Sequence, residues 1–219
     1  MKIIIILLIC VPSLLAEDNA GDISFKYGFL GQFKSNPDST VLLSDSSVIH
    51  TGDRVRINIG YLKESNFLLI FKDSKGDFDI FYPDLAKKES KQNDATEQDT
   101  IYATALSWAA FSDPPGNETF YLINSKKSLT ELTNLIVRYK NAPDKAKGRL
   151  SNRIQADIDS LDPNLKGDLA LIPSRLDKPM AGGVTFRGDD DEDLKDMSLT
   201  HICGGSGGIA FQKIILIHQ

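Results

Sequence analysis

The chain has 219 residues, with 25 basic and 30 acidic side chains and a formal net charge of −5. That is enough for one large domain, and scattered charges with an acidic balance exclude an electrostatic footprint for nucleic acid. Two cysteines exclude a disulfide framework, and no zinc quartet or phosphate-cradling glycine loop stands out.

Met1-Lys2 precedes an apolar run from Ile3 to Cys10, and Val11 to Ala16 ends on a small residue before Glu17-Asp18. This is the pattern of a cleavable signal peptide over residues 1–16. The run is too short for a spanning helix, which needs about 20 residues. The expected product is an exported domain over residues 17–219, periplasmic or secreted, with no transmembrane segment after cleavage. Cleavage leaves Cys203 as the one cysteine, so no intrachain disulfide can form.

Ile23, Phe25, Tyr27 and Phe29 alternate with polar or small residues, as in a half-buried strand. A turn cluster surrounds Pro37, and Val41 to Leu43 is a short strand. After Thr51-Gly52-Asp53, Val55, Ile57, Ile59 and Tyr61 face one way, and Arg54, Arg56 and Asn58 the other. Phe67 to Phe71 is a continuous apolar run, which predicts a central strand covered on both faces. Phe78, Ile80 and Tyr82 alternate up to Pro83, and these three strands are expected to form an antiparallel meander. Lys87 to Thr100 is a polar loop. Ile101 to Phe111 and Thr119 to Ile123 are further strands.

The period then changes. Leu129, Leu132, Leu135, Ile136 and Tyr139 have helical spacing behind a Ser128–Glu131 capping box. Pro143 opens a second helix with Ala146, Leu150, Ile154 and Ile158 on one stripe. Lys145, Lys147, Arg149 and Arg153 read as its solvated face. Leu169 to Ile172 and Val184 to Phe186 are strand candidates. A final strand alternates Ile209, Phe211, Ile215 and Ile217, with Lys213 out of pattern. The fold class expected is mainly β with an α insertion: an antiparallel β-sandwich with a two-helix insertion at residues 128–161.

In chain order, Thr51-Gly52-Asp53, Gly76, Tyr82-Pro83 and Pro114-Pro115-Gly116-Asn117-Glu118 resemble the bacterial domain of unknown function (DUF) 4384 family, over about residues 40–125. Members are typically bacterial and often extracytoplasmic, and the module has no assigned catalytic residues. Many are attached to a peptidase or kinase domain, of which these 219 residues show no pattern. The residues themselves read as scaffold. Glycines suit turns of positive φ, Pro115 presets a turn, and Glu118 is placed to bond that turn's amides. Asn117-Glu118-Thr119 is a glycosylation sequon, meaningful only in a eukaryotic secretory pathway.

Three motifs point to chemistry. Gly204 to Gly208 matches G-x-S-x-G around Ser206, but no acid follows it, and a strand pattern stands where the nucleophile elbow needs a helix. His201 and Cys203, two apart on a strand, share a face, and His218 lies on a strand able to pair across the glycine turn. These three are candidates for a thiol nucleophile with its base, or for metal ligands. His50 is the only other histidine. Asp189, Asp191 and Asp193 match part of a calcium loop, but Leu194 replaces the required glycine and Thr200 the closing Glu.

The function expected is a non-catalytic exported binding or accessory domain of the bacterial cell envelope. Its partner would be a protein or envelope component, with no nucleic acid and no cofactor. The competing expectation is a hydrolase-like enzyme using Cys203 with His201 or His218.

Overall fold

The computed structural model describes residues 23–85, 100–162 and 199–219. The signal peptide, most of the polar loop before Thr100, the strand candidates at 169–172 and 184–186, and Asp189, Asp191 and Asp193 lie outside them.

The described chain is a β-sandwich with a two-helix insertion. One sheet holds β1 (Ile23–Phe33), β2 (Asn36–Leu43), β4 (Arg54–Leu62), β7 (Thr100–Ala110) and β9 (His201–Gly205). Its order is β2-β1-β4-β7, and β9 shares β1 with β2, pairing the half of β1 that β2 leaves open. The second sheet runs β3 (Val48–Ile49), β10 (Ile209–His218), β8 (Gly116–Ser125), β5 (Asn66–Lys72), β6 (Phe78–Tyr82). All pairings are antiparallel except β3 with β10.

The helices α1 (Thr130–Lys140) and α2 (Asp144–Leu161) cover the outer face of the second sheet. That sheet is therefore buried twice. In β5, Phe67 and Leu69 enter the core between the sheets, while Leu68 and Ile70 pack under Ile136, Ile154 and Ile158. The unbroken apolar run is the consequence, because both faces lie in apolar surroundings. Strand β8 does the same with Phe120 and Leu122 inward and Tyr121 and Ile123 under the helices.

Several expectations change. The meander does not form: β4 lies in the first sheet beside β1 and β7, and β5 crosses to the second. Sequential strands with a short link often pair, but two-sided burial of β5 requires the helix-covered sheet. The capping box is also absent. Helix α1 starts at Thr130 without a side-chain cap, and Ser128 Oγ instead accepts the Thr130 N–H at 3.2 Å. In β10 the inter-sheet face is Ala210, Ile214 and Leu216, the parity opposite to the one its isoleucines suggest. Phe211 packs under the helices and Lys213 is exposed. The outward face of β4 is not open either, since Arg56 and Asn58 are buried, and Thr104 Oγ1 bonds both.

The glycine cluster makes the β9–β10 hairpin turn. Gly207 and Gly208 both have positive φ, the conformation of a tight two-residue turn matched to strand twist. No helix among the described residues is long and apolar enough to cross a membrane.

Candidate functional site

Four polar side chains from distant parts of the chain converge at the end of the sandwich where β10 stops. Strand register brings the first two together. Glu118 lies opposite Leu216 and Gly116 opposite His218, so Glu118 and His218 are diagonal neighbours. Both take the parity of Phe120, Leu122, Ile214 and Leu216, which turns them toward the inter-sheet core. The parallel pairing of Ile49 with His218 then draws the β3–β4 turn, with Thr51, over the imidazole.

A second turn is tied in by backbone bonds. Gly52 N–H donates to Phe111 O and Phe111 N–H to Asp53 O, both at 2.9 Å. This sets Asp113 beside Thr51. Asp53 is a buried staple: its carboxylate accepts Lys34 N–H and His50 N–H, each at 2.8 Å. The Thr-Gly-Asp element is thus a corner that joins the β1–β2 turn to the β3–β4 turn. Gly116 completes the assembly. It has φ +151°, and a Cβ there would come within 2.7 Å of Ser74 Cβ. Only glycine lets the Pro-Pro-Gly turn close on the β5–β6 turn, where Ser74 Oγ donates to Pro114 O at 2.8 Å.

Asp113 accepts the Thr51 hydroxyl at 2.9 Å, and Thr51 Oγ1 lies 3.0 Å from His218 Nε2. On the other side of the ring, His218 Nδ1 is 3.5 Å from Glu118 Oε1. The His218 side chain is fully buried and that of Glu118 is 4% exposed, and the Phe111 ring lies 5.8 Å from the imidazole. Glu118 faces the ring, and its carboxylate also accepts a backbone hydrogen bond from Ser74 in the β5–β6 turn. Neither His218 Nδ1 nor Glu118 Oε2 has a hydrogen-bond partner among the described residues. Burial pushes the Glu118 carboxyl above its ordinary range. The contact with His218 opposes that rise, and the charge of Asp73 adds to it.

The order acid, imidazole, hydroxyl superficially matches a nucleophile relay. Its hydrogen bonds run the wrong way for one. The single Thr51 proton is directed to Asp113, so His218 Nε2 is a donor to Thr51 and not a base for it. The arrangement ties three chain segments together around a buried ionisable pair.

Thr51 also lines an open groove of about 610 Å³ with Phe33, Lys34, Ser35, Val48, His50 and Asp53. Val48 is 41% exposed. A smaller recess of about 330 Å³ lies on the far side of the second sheet, with Asp73, Asp77 and Asp79 beside Lys140 and Lys147. Two of its carboxylates are engaged within the protein, Asp79 by Lys140 at 2.6 Å and Asp77 by the Tyr139 hydroxyl.

Among the described residues, the sequence-derived candidates His201, Cys203 and His218 do not converge on one site. Cys203 points into the inter-sheet core, where its Sγ lies 3.5 Å from Phe211 O. Burial pushes the thiol up to about 12, which removes the thiolate a nucleophile or metal ligand needs. His201 stacks on Tyr27 with ring centroids 5.0 Å apart, and its Nδ1 meets Thr200 Oγ1 at 2.9 Å. Burial lowers its affinity for a proton. His218 is at the far end of β10, seven extended residues or about 23 Å along the strand from Phe211. Ser206 sits in the hairpin turn and bridges Ile209. Among the described residues, no group of three or more His, Cys, Asp or Glu is placed to hold a metal ion. A disulfide-exchange reagent is expected to label Cys203 in the folded protein only as fast as the protein opens, and at once in urea. Stoichiometric labelling within seconds under native conditions would place the thiol outside the core.

No family model, curated protein or solved structure matches the chain. The residues at the site are therefore the guide to its role. What sequence reading missed is the Glu118–His218 meeting. The usable signal was parity: Glu118 is in phase with Phe120 and Leu122, and His218 with Ala210, Ile214 and Leu216.

Proposed function

We propose that this chain is a non-catalytic, exported accessory domain of the bacterial cell envelope, which binds a protein or envelope component through the loops at the groove end of the sandwich. The observation that carries the proposal is the groove itself. Its volume falls in the range of ligand sites, and it sets apolar Phe33 and Val48 beside polar Ser35, His50 and Thr51. Loops held by a rigid sheet end are where binding residues concentrate, and the Asp53 staple provides that rigidity. The signal-peptide pattern at residues 1–16 supports the compartment. The resemblance of residues 40–125 to the DUF 4384 family, whose members are often extracytoplasmic, points the same way.

The test is site-specific photo-crosslinking in intact envelopes. A photoreactive residue at Val48 should give a discrete adduct that excess unlabelled domain suppresses. The same residue at exposed Arg149, on the solvent side of α2, should give none. Equal adducts from both positions, or none from either, would remove the groove as the binding surface.

A further inference from the structure

We infer that the buried Glu118–His218 pair holds one proton more in the folded protein than the same two residues hold in the unfolded chain at neutral pH, making this end of the sandwich a proton-dependent latch. Three close contacts run in series: Asp113 Oδ1 to Thr51 Oγ1 at 2.9 Å, Thr51 Oγ1 to His218 Nε2 at 3.0 Å, and His218 Nδ1 to Glu118 Oε1 at 3.5 Å. The first two are hydrogen bonds, each needing a hydrogen between its atoms; the third is an ion-pair contact, longer than a hydrogen bond, that sets the ring nitrogen against the carboxylate. A threonine hydroxyl supplies one hydrogen and a neutral imidazole one. The first two contacts use both. The third leaves a bare ring lone pair against a buried carboxylate oxygen, unless a further proton sits on Nδ1 or on Glu118. Burial makes that unscreened repulsion costly.

The neighbours pull both ways: the Ser74 backbone N–H, hydrogen-bonded to the Glu118 carboxylate, favours its ionised form, and the acids around the pair oppose it or are spoken for. Asp73, from the β5–β6 turn, acts on Glu118 as a second negative charge and favours the added proton. Asp113 is engaged by Thr51. Asp53 lies next to His50, with Nδ1 to Oδ2 at 3.6 Å, and is already satisfied by two backbone N–H groups. No lysine or arginine contact to the pair occurs among the described residues.

In the unfolded chain, histidine loses its proton near pH 6.5 and glutamate near 4.3. The folded pair keeps a proton above that range. Folding therefore takes up a proton at neutral pH, and stability falls as pH rises. The contribution is complete below about pH 6.5 and is lost as pH climbs through the folded pair's own titration. The upward push on Glu118 agrees in direction. His201 contributes the opposite slope, because burial lowers its proton affinity. Thr51 lines the groove as well, so release of the latch alters the groove wall.

Urea unfolding of the full chain from pH 6 to 9, for wild type and Glu118→Gln, isolates the effect. The glutamine amide can donate to Nδ1 and does not titrate, while His50 and His201 are common to both proteins. Relative to the variant, the wild-type folding constant is expected to fall by up to about tenfold per pH unit within that range. Parallel profiles would overturn the latch. If Glu118→Gln does not fold, nitrogen-detected NMR of wild type at pH 7 decides. A proton on His218 Nε2, with a second on Nδ1 or a neutral Glu118 carboxyl, supports the latch. A ring protonated at Nδ1 alone beside an ionised Glu118 refutes it.

Discussion

Phe120→Ala is expected to lower the unfolding free energy by about 3–5 kcal/mol. Phe120 is fully buried at the middle of β8 and joins the two sheets through rings. It meets Phe29 of the first sheet edge-on at 5.2 Å, and Phe71 and Phe81 of its own sheet at 5.0 and 6.3 Å. Truncation removes both the transferred ring and its edge-to-face contact with Phe29. It also leaves a void that the backbone cannot fill, because β8 is paired along its length with β5 and β10. Phe120→Leu keeps much of the volume and should cost under about 1.5 kcal/mol. Urea titration of both variants at one pH measures the pair. An alanine cost below about 1 kcal/mol would mean that the two sheets do not close on this residue.

The same residue shows how far the sequence can be read. Alternation and continuous apolar runs located β1, β4, β5, β6 and both helices, because burial on one or two faces leaves a direct trace in residue order. Sheet membership left no such trace. The run from Phe67 to Phe71 announces a doubly covered strand, but the step from β4 to β5 across the sandwich depends on where the helices lie, and they come sixty residues later. In β10 the isoleucines on the odd positions mislead, since both faces carry apolar residues and Ala210, Ile214 and Leu216 hold the inter-sheet side, while on the odd face only Phe211 is buried. When a strand is apolar on both faces, hydrophobicity cannot say which face is the core.

The site was legible only in pieces. Thr51-Gly52-Asp53 and Pro114-Pro115-Gly116 read correctly as turns. Their meeting depends on the Gly52–Phe111 and Phe111–Asp53 backbone bonds, which no local pattern encodes. Placing His218 beside Cys203 requires a hairpin that brings its two strands together along their length. The β9–β10 hairpin does so near the turn, where Cys203 meets Phe211, and not at the far end. Beyond the turn β9 stays with β1 while β10 joins β8, and the histidine finds Glu118 instead.

That divergence rests on one small residue, so Gly205→Ala is expected to be far more damaging than its chemistry suggests. An added Cβ at Gly205 would lie 1.9 Å from Ile209 O and 2.5 Å from Ala210 Cα. Both obstacles are backbone, so no rotamer change relieves the overlap. Either β9 leaves β1, to which Gly205 pairs opposite Ile23, or β10 shifts against β8. The expected loss is about 3 kcal/mol, the upper part of the range for overpacking, which lowers the melting temperature by about 6–12 °C in a chain of this size. Two further alanines set the scale. Gly207 has open space around it and only a left-handed φ of +64°, so Gly207→Ala should cost about 1–2 kcal/mol. Gly148 lies inside α2 with nothing within 4 Å, so Gly148→Ala should stabilise by about 0.5–1 kcal/mol. Thermal melting of the three variants tests the order. If Gly205→Ala were as mild as Gly207→Ala, the backbones of β9 and β10 would not be in contact there, and the hairpin could not be what passes the chain from one sheet to the other.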